Sequence, residues 1–311
     1  REANDTVAKK KKKKLNSQEE WLKKDQLYWI EVLKERKEKK DATETYTKSL
    51  PETKKLRTIY TGGRNVRNLQ INTGGRFVSY VLVKEATDAR HTIIPNYVTE
   101  SGFTEDINGR TKVGAPLGAS ELFVYDREKD TVITVTTEDI PGIRDLPDFV
   151  NDYPELLKKK KQENAVRQVS ITGVTWSPKG NYAVVDIDAL DNKDRWLMKL
   201  DAVTGKLSLL NRQRDEAWVG GPGINSGNTG WINENLFWFQ SEATGYAHIY
   251  TVDITTGKKT ALTSGQYEVQ KCLLSGNKKY FYITTNKVHA GERQLYRLPV
   301  TGGKAERITT M

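Results

Sequence analysis

The chain has 311 residues, with 50 Lys and Arg against 40 Asp and Glu and a formal net charge of +10. Residues 1–60 hold 18 of the basic and 11 of the acidic residues, so the other 251 residues carry a surplus of only +3, too little for a broad nucleic-acid-binding face. A single cysteine, Cys272, excludes an intramolecular disulfide, and no apolar run is long enough for a transmembrane helix or a signal peptide.

Residues 1–53 are predicted to be a basic segment followed by one long helix, which together form an excursion or linker. Lys9–Lys14 is a run of six lysines that is expected to stay solvated, with a contact to nucleic acid or an anionic surface as the alternative. Ser17 and Glu20 have capping-box spacing, and the helical pattern extends to the charged residues Lys37–Lys40. We expect its apolar stripe to pack against the following domain or a partner; the stripe consists of Trp21, Leu22, Leu27, Tyr28, Trp29, Ile30, Val32 and Leu33.

From residue 54 onward the apolar residues alternate with polar ones, as they do in β-strands. The first strands are predicted near residues 54–60, 66–71, 76–84, 120–126 and 131–137. Insertions interrupt this pattern near residues 85–119 and 138–166, and the second, which contains three prolines, is expected to hold a short helix.

Four segments of the β region share one pattern of strand, turn and strand. They read LFVYDREKDTVITVT (122–136), LMKLDAVTGKLSLL (197–210), IYTVDITTGKKTALT (249–263) and LYRLPVTGGKAERIT (295–309). Each turn falls at a residue that accepts a left-handed backbone, namely Asp130, Gly205, Gly257 or Gly303. The segments start 75, 52 and 46 residues apart, and the last two intervals are close to the length of a propeller blade. The sequence therefore predicts an all-β fold, a partial β-propeller of about four to five four-stranded antiparallel blades over residues 54–311, with an N-terminal helical excursion.

The sequence contains no Gly-x-Ser-x-Gly elbow of the kind that carries the nucleophile of an α/β-hydrolase. Structural or surface roles are therefore predicted for the three histidines, His91, His248 and His289.

Two further clusters are interpreted as structural, and no cofactor or metal site is predicted. Asp186, Asp188, Asp191 and Asp194 approach the spacing of a calcium loop, but the glycine and terminal glutamate of an EF-hand are absent, so a strand, a turn at 190–193 and a second strand are favoured. Four tryptophans are expected to fill the spaces between blades, with ligand stacking as the alternative: Trp196, Trp218, Trp231 and Trp238.

Several segments resemble a known family. DEAWVG (215–220), EATGYAHIYTVD (242–253), LTSGQYEV (262–269) and GERQLYRL (291–298) are similar to the end of the propeller domain of dipeptidyl peptidase IV-like enzymes, serine peptidases of the prolyl oligopeptidase family. YVTESGFTEDINGRTKVGAP (97–116) resembles the long insertion of that family. The resemblance covers roughly residues 55–311 in the same order.

The resemblance implies that an α/β-hydrolase domain follows this chain in the same polypeptide and that the propeller gates peptide substrates for it. Without a Ser/Asp/His triad, this chain should be inactive alone. The resemblance also implies a periplasmic or secreted protein and allows a homodimer. The alternative is a stand-alone propeller that binds a protein or glycan partner.

In the family, two adjacent glutamates hold the ammonium group of the substrate. The matching stretch here, TGGRNVRNLQ (61–70), has Gly62, Gly63 and Arg64 where acids are expected, which speaks against the removal of N-terminal dipeptides. Acidic residues of the insertion could supply the missing charge, and a basic residue there could bind a carbonyl or carboxylate. The predicted substrate-binding residues are Glu100, Glu105, Asp106 and Arg110.

Overall fold

A computed structural model describes residues 15–51, 58–224 and 227–309. The lysine run Lys9–Lys14 lies outside the described residues. Most of the first predicted strand, residues 54–60, lies outside them as well, and its described part, residues 58–60, is not a β-strand. The chain divides into two compact units, residues 1–57 and 58–311.

The first unit contains one long helix, α1 (Ser17–Ser49). Its N-cap is Asn16, one residue before the predicted cap: the Asn16 side chain accepts a hydrogen bond from the Glu19 backbone N–H at 2.8 Å, and the Glu19 carboxylate accepts one from the Asn16 N–H at 2.9 Å. The helix also continues beyond the predicted end at Lys40, because residues 17–49 contain neither proline nor glycine. None of the helices that the structure describes is long and apolar enough to cross a bilayer. The packing of the apolar stripe stays a prediction.

The second unit contains the β-strands, which are, in chain order, β1 (Asn65–Ile71), β2 (Phe77–Lys84), β3 (His91–Asn96), β4 (Glu105–Thr111), β5 (Ala119–Asp126), β6 (Thr131–Val135), β7 (Val169–Trp176), β8 (Ala183–Ala189), β9 (Asp194–Leu200), β10 (Leu207–Arg214), β11 (Gly230–Trp231), β12 (Leu236–Ser241), β13 (His248–Asp253), β14 (Lys259–Ala261), β15 (Val269–Leu274), β16 (Tyr280–Thr285), β17 (Gln294–Pro299) and β18 (Glu306–Arg307). A 3₁₀ helix (Asp148–Asp152) and α2 (Pro154–Glu163) lie between β6 and β7.

Within the described residues, these strands form four antiparallel four-stranded sheets, which we call blades 1 to 4, and one two-stranded sheet. Blade 1 has the order β1-β2-β5-β6, and the hairpin β3-β4 is inserted between its second and third strands. Blades 2, 3 and 4 are meanders of β7–β10, β11–β14 and β15–β18. The predicted all-β partial propeller is confirmed, as is a short helix in the second insertion.

Three hydrophobic clusters connect the blades in sequence order. One joins blades 1 and 2, the next blades 2 and 3, and the third blades 3 and 4. Side chains alternate along a strand, so neighbouring residues serve different clusters: Trp196 faces blade 1 and Leu197 faces blade 3. The cores therefore lie between stacked sheets, as in a propeller.

The four repeated segments are the hairpins between the third and fourth strands of the blades. Their turn residues have positive φ as predicted, with values of 49° for Asp130, 74° for Gly205, 72° for Gly257 and 102° for Gly303. Sequence reasoning overlooked the aspartate that begins three of these turns. The carboxylate accepts hydrogen bonds from the second and third backbone N–H groups that follow, in Asp126, Asp201 and Asp253 alike.

Two glycines of these turns provide a matched test of packing between blades. At Gly257 an added Cβ would meet no atom within 4 Å, whereas at Gly205 it would lie 2.5 Å from the backbone oxygen of Thr134 in blade 1. Both have nearly the same φ, so both alanine variants incur a similar backbone strain of about 1–2 kcal/mol. We expect Gly205→Ala to lower the free energy of unfolding by at least about 1 kcal/mol more than Gly257→Ala, because blade 1 must move away. Urea unfolding of both variants would measure this difference, and equal losses would contradict the contact.

Three of the four tryptophans predicted to fill the spaces between blades are buried, and the fourth is not. Trp196 lies on β9, Trp231 on β11 and Trp238 on β12, and each belongs to an inter-blade cluster. Trp218 lies in the loop after β10 and is 69% exposed. The expectation of core packing was wrong for Trp218, because it lies outside the strands whose faces meet.

Candidate functional site

The four predicted substrate-binding residues lie on the hairpin formed by β3 and β4. Glu100 is in its connection, and Glu105, Asp106 and Arg110 are on β4. All four are exposed, and no hydrogen bond or ion pair links their side chains to one another among the described contacts. Glu105 and Asp106 are consecutive, so their carboxylates project to opposite faces of the hairpin. The structure thus places the four residues on one element without assembling them into a site.

The hairpin is also an apolar surface. Thr92 and Thr99 hold it together through hydroxyl groups that donate to the backbone oxygens of Arg110 at 2.7 Å and Phe103 at 2.6 Å. Large apolar side chains on and beside it remain exposed, including Ile93, Ile94, Tyr97, Val98, Phe103 and Ile107. Exposed apolar patches of this kind mark surfaces that contact another molecule or domain.

Residues 61–70, where the resemblance implies a pair of acidic residues, contain a turn and an arginine that forms an ion pair instead. Gly62 and Gly63 have φ values of 62° and 75°. The Arg64 guanidinium pairs with the Glu121 carboxylate and lies 5.6 Å over the ring of Phe123. Arg64 is therefore held against blade 1, and this position offers no carboxylate to a ligand.

A cavity of about 540 Å³ lies between blades 1 and 2, beside the point where the first insertion returns to the sheet. Its walls come from the first strands β1 and β7 and from Leu117 and Gly118. Asn68 bridges the two blades by donating to the backbone oxygen of Thr172 at 3.1 Å. Asn68 itself has a φ of 49° at a bulge in β1. The cavity therefore lies at the base of the β3-β4 hairpin, where two blades meet.

The four aspartates between residues 186 and 194 are not arranged as metal ligands. They occupy β8, a turn and β9, as the sequence predicts. Asp186 forms a buried ion pair with Arg195, whose Nη2 lies 2.6 Å from its Oδ2, and Asp191 pairs with Arg167 at 3.1 Å. Among residues 15–51, 58–224 and 227–309, no three histidine, cysteine, aspartate or glutamate side chains come together as a metal site.

Asp194 is the centre of a network that sequence reasoning missed. Its fully buried carboxylate accepts from the guanidinium groups of Arg167 at 2.6 Å, Arg212 at 2.6 Å and Arg214 at 2.7 Å. Arg212 and Arg214 come from β10, the strand that pairs with β9, whereas Arg167 comes from the segment before β7. Three positive groups therefore share one desolvated negative charge.

The same network fastens the second insertion to blade 2. Arg212 also pairs with Asp145 at 2.6 Å, and Arg167 donates to the backbone oxygen of Gly142 at 2.8 Å. The indole N–H of Trp196 donates to the backbone oxygen of Pro141 at 3.0 Å. The insertion is thus held in one place on blade 2 by polar contacts.

Among the contacts that the structure describes, the three histidines hydrogen-bond to a threonine hydroxyl and to backbone groups. His248 is fully buried, and its ring nitrogens lie 3.0 Å from the Thr263 hydroxyl and 2.9 Å from the Gly265 backbone oxygen. His91 lies on β3 with its Nδ1 3.0 Å from the Gly109 backbone oxygen, and His289 is exposed. The structural or surface roles of the three histidines stay predictions.

Comparisons with known proteins identify a family and several relatives that are similar to the β region. The model of the family described as the dipeptidyl peptidase IV (DPP IV) N-terminal region matches residues 112–311. A probable dipeptidyl peptidase 4 from Arthroderma benhamiae is 31% identical over 127 residues, which are 40% of this chain and 16% of that protein. The dipeptidyl peptidase 4 of Arthroderma otae is 33% identical over 98 residues, which are 30% of this chain and 12% of that protein. The matched segments thus span less than a fifth of these relatives.

A solved structure supports the fold. The crystal structure of Porphyromonas gingivalis dipeptidyl peptidase 4 aligns with a TM-score of 0.52 and 15% sequence identity, over 78% of this chain and 30% of that one. At this identity the likeness concerns the fold alone.

Proposed function

The chain belongs to the dipeptidyl peptidase IV N-terminal region family, and from this premise we propose that it is the non-catalytic propeller domain of a dipeptidyl peptidase IV-like serine peptidase. In this proposal the domain gates and orients peptide substrates for an α/β-hydrolase domain that follows it in the same polypeptide.

The family match over residues 112–311 carries the proposal, because it includes all of blades 2, 3 and 4. The chain supplies no nucleophile elbow, so the chemistry belongs to the domain that follows. That domain would transfer the acyl group of a peptide to a serine and then to water, after a proline or a small residue. A ring of blades beside it would admit short or unfolded peptides, exclude folded proteins and limit access of water.

The continuation of the polypeptide tests this assignment. We expect the residues after Met311 to contain a Gly-x-Ser-x-Gly elbow followed by an aspartate and a histidine. A polypeptide that terminates at Met311 would instead favour a stand-alone propeller that binds a protein or glycan partner. A periplasmic or secreted location is part of the proposal, and it rests on the family alone.

The β3-β4 hairpin is the proposed element for orienting the substrate. Its exposed Glu100, Glu105 and Asp106 can attract the ammonium group of a peptide, and Arg110 can bind a carbonyl or carboxylate. The exposed apolar side chains beside them provide a surface for the peptide, and they are also a proposed contact for a second copy of the chain.

Single substitutions on the hairpin are expected to weaken substrate binding. In the complete polypeptide, we expect Glu100→Ala or Arg110→Ala to raise KM for short peptides by about tenfold, the value of one charge-assisted hydrogen bond. Asp88→Ala and Arg90→Ala are matched controls, because these exposed residues lie in the same insertion just before β3. Steady-state kinetics on a panel of short peptides measures the effect, and an unchanged kcat/KM in both hairpin variants would remove the hairpin from the proposal.

A further inference from the structure

The helix α1 has an apolar face that is left exposed. An α-helix has 3.6 residues per turn, so residues spaced three, four and seven apart lie on one face. Five large side chains of α1 share such a face and are 46–63% exposed, namely Trp21, Leu22, Tyr28, Trp29 and Leu33. Val32 lies on the same face and is partly buried, and no residue of α1 is fully buried. The first half of the helix therefore carries a contiguous apolar surface of the kind that contacts another molecule.

Two side chains of opposite charge lie on this apolar face. Asp25 follows Trp21 by one helical turn and precedes Trp29 by another, and it is partly buried between them. Arg36 follows Asp25 by about three turns and is exposed. Neither side chain forms a hydrogen bond or an ion pair with a residue that the structure describes. The face thus carries one unpaired acid and one unpaired base at its two ends.

The order of these residues along α1 determines how two copies of the helix can pair. Parallel copies in register would place Asp25 beside Asp25 and Arg36 beside Arg36, and such like-charge contacts are unfavourable. Antiparallel copies can place Asp25 of each helix opposite Arg36 of the other, which makes two ion pairs. In that register Trp29 of each helix lies opposite Val32 of the other. The face is therefore complementary to itself in the antiparallel arrangement.

The charge of α1 does not favour a membrane surface as the partner. Residues 17–49 contain eight Asp and Glu and eight Lys and Arg, so the formal charge of the helix is zero. Helices that lie on anionic membranes carry an excess of Lys and Arg on their polar face. A second copy of the helix, by contrast, supplies both the apolar side chains and the opposite charges.

We propose that the apolar face of α1 binds the same face of a second copy of this chain, as an antiparallel helix pair centred on Trp29 and Val32. The contact has two-fold symmetry, so each ion pair between Asp25 and Arg36 occurs twice. This surface is separate from the β3-β4 hairpin, and the inference does not depend on the proposed function.

Sedimentation velocity of the 311-residue chain at increasing concentration tests the proposal. We expect an equilibrium between monomer and dimer. Trp29→Ala is expected to raise the dissociation constant of the dimer by about tenfold or more, because it truncates a large side chain at the centre of the contact. Trp29 is exposed in the single chain and alanine favours helix, so the variant should keep its fold.

Charge exchange on the same face tests the antiparallel arrangement. Asp25→Arg and Arg36→Asp each place like charges opposite one another, and each is expected to raise the dissociation constant by about tenfold or more. The double variant restores opposite charges and should return the dissociation constant to within about threefold of the original value. A parallel pair would show no such rescue, because the double variant would still place like charges side by side.

Glu38→Arg and Lys34→Asp are the matched controls, because helical periodicity places both residues on the opposite face of α1 and both are exposed. Their dissociation constants should equal that of the original chain.

A chain that stays monomeric at about 0.1 mM would overturn the proposal. If that monomer bound vesicles of phosphatidylserine and phosphatidylcholine, the apolar face would be assigned to a membrane surface instead. A dimer that all the α1 variants leave unchanged would also overturn the proposal, since its contact would lie elsewhere on the chain. None of these measurements involves hydrolysis, so their outcome is separate from that of the proposed function.

Discussion

Asp194→Asn is expected to lower the free energy of unfolding by about 3–5 kcal/mol, the usual loss when one partner of a buried ion pair is removed. The Asp194 carboxylate is fully buried, and the side chains of its three partners, Arg167, Arg212 and Arg214, are at most 25% exposed. An asparagine would occupy the same volume but leave three guanidinium groups with too little negative charge. Urea unfolding at neutral pH would measure the loss.

Asp191→Asn is the matched control for this prediction. The Asp191 side chain is 34% exposed, and Arg167 is the cation with which it pairs. Solvent screens such a pair, so the expected loss is at most about 1 kcal/mol. If Asp194→Asn lowered the free energy of unfolding no more than Asp191→Asn does, this result would show that the network around Asp194 does not fasten the second insertion to blade 2.

Asp188→Asn is expected to stabilise the protein above about pH 6. Burial raises the pKa of Asp188 to about 6, and the Asp186 carboxylate adds to this effect while Arg195 opposes it. An acid whose folded-state pKa is raised favours the protonated form, so ionisation of Asp188 destabilises the fold increasingly as the pH rises from about 4, its unfolded value, to about 6. Asparagine removes this cost, for an expected gain of about 2–3 kcal/mol at pH 8 and none near pH 3.5.

Asp186→Asn is expected to have the opposite effect on the free energy of unfolding, although Asp186 lies on the same face of β8 as Asp188. Asp186 holds the buried guanidinium of Arg195 through two hydrogen bonds, at 2.9 and 2.6 Å, so its loss should destabilise the protein at pH 8. Unfolding free energies of the three proteins between pH 3.5 and 8 test both statements. Parallel pH curves for the original chain and Asp188→Asn would show that Asp188 ionises normally in the folded state.

The blades could be predicted from the sequence because their signals are local. Alternating strands and a turn residue with left-handed backbone recur in each hairpin, and a turn such as that at Gly257 needs no distant partner. The cap of α1 was misplaced by one residue because Asn16 and Ser17 are both good N-caps, and only the positions of Asn16 and Glu19 in the structure distinguish them.

The polar sites could not be predicted because their partners are far apart in the chain. Arg167, from the segment before β7, meets Asp194 on β9, and Asp145 of the second insertion meets Arg212 on β10. The exposure of individual side chains could not be predicted either. Trp218 is exposed and Trp196 is buried, although both are tryptophans that the sequence places near strands. Glu100, Glu105, Asp106 and Arg110 stay predictions, because the structure shows where they lie and not what they bind.

If this chain controls which substrates reach a catalytic domain, as we propose, the complete polypeptide should discriminate between substrates by their size. The measurement compares kcat/KM for an unstructured peptide with kcat/KM for the same sequence placed in an exposed loop of a stably folded carrier protein. We expect cleavage of the free peptide and little or none of the carrier, because in the proposed arrangement a folded protein is too large to reach the hydrolase. Equal kcat/KM values for the two substrates would contradict it.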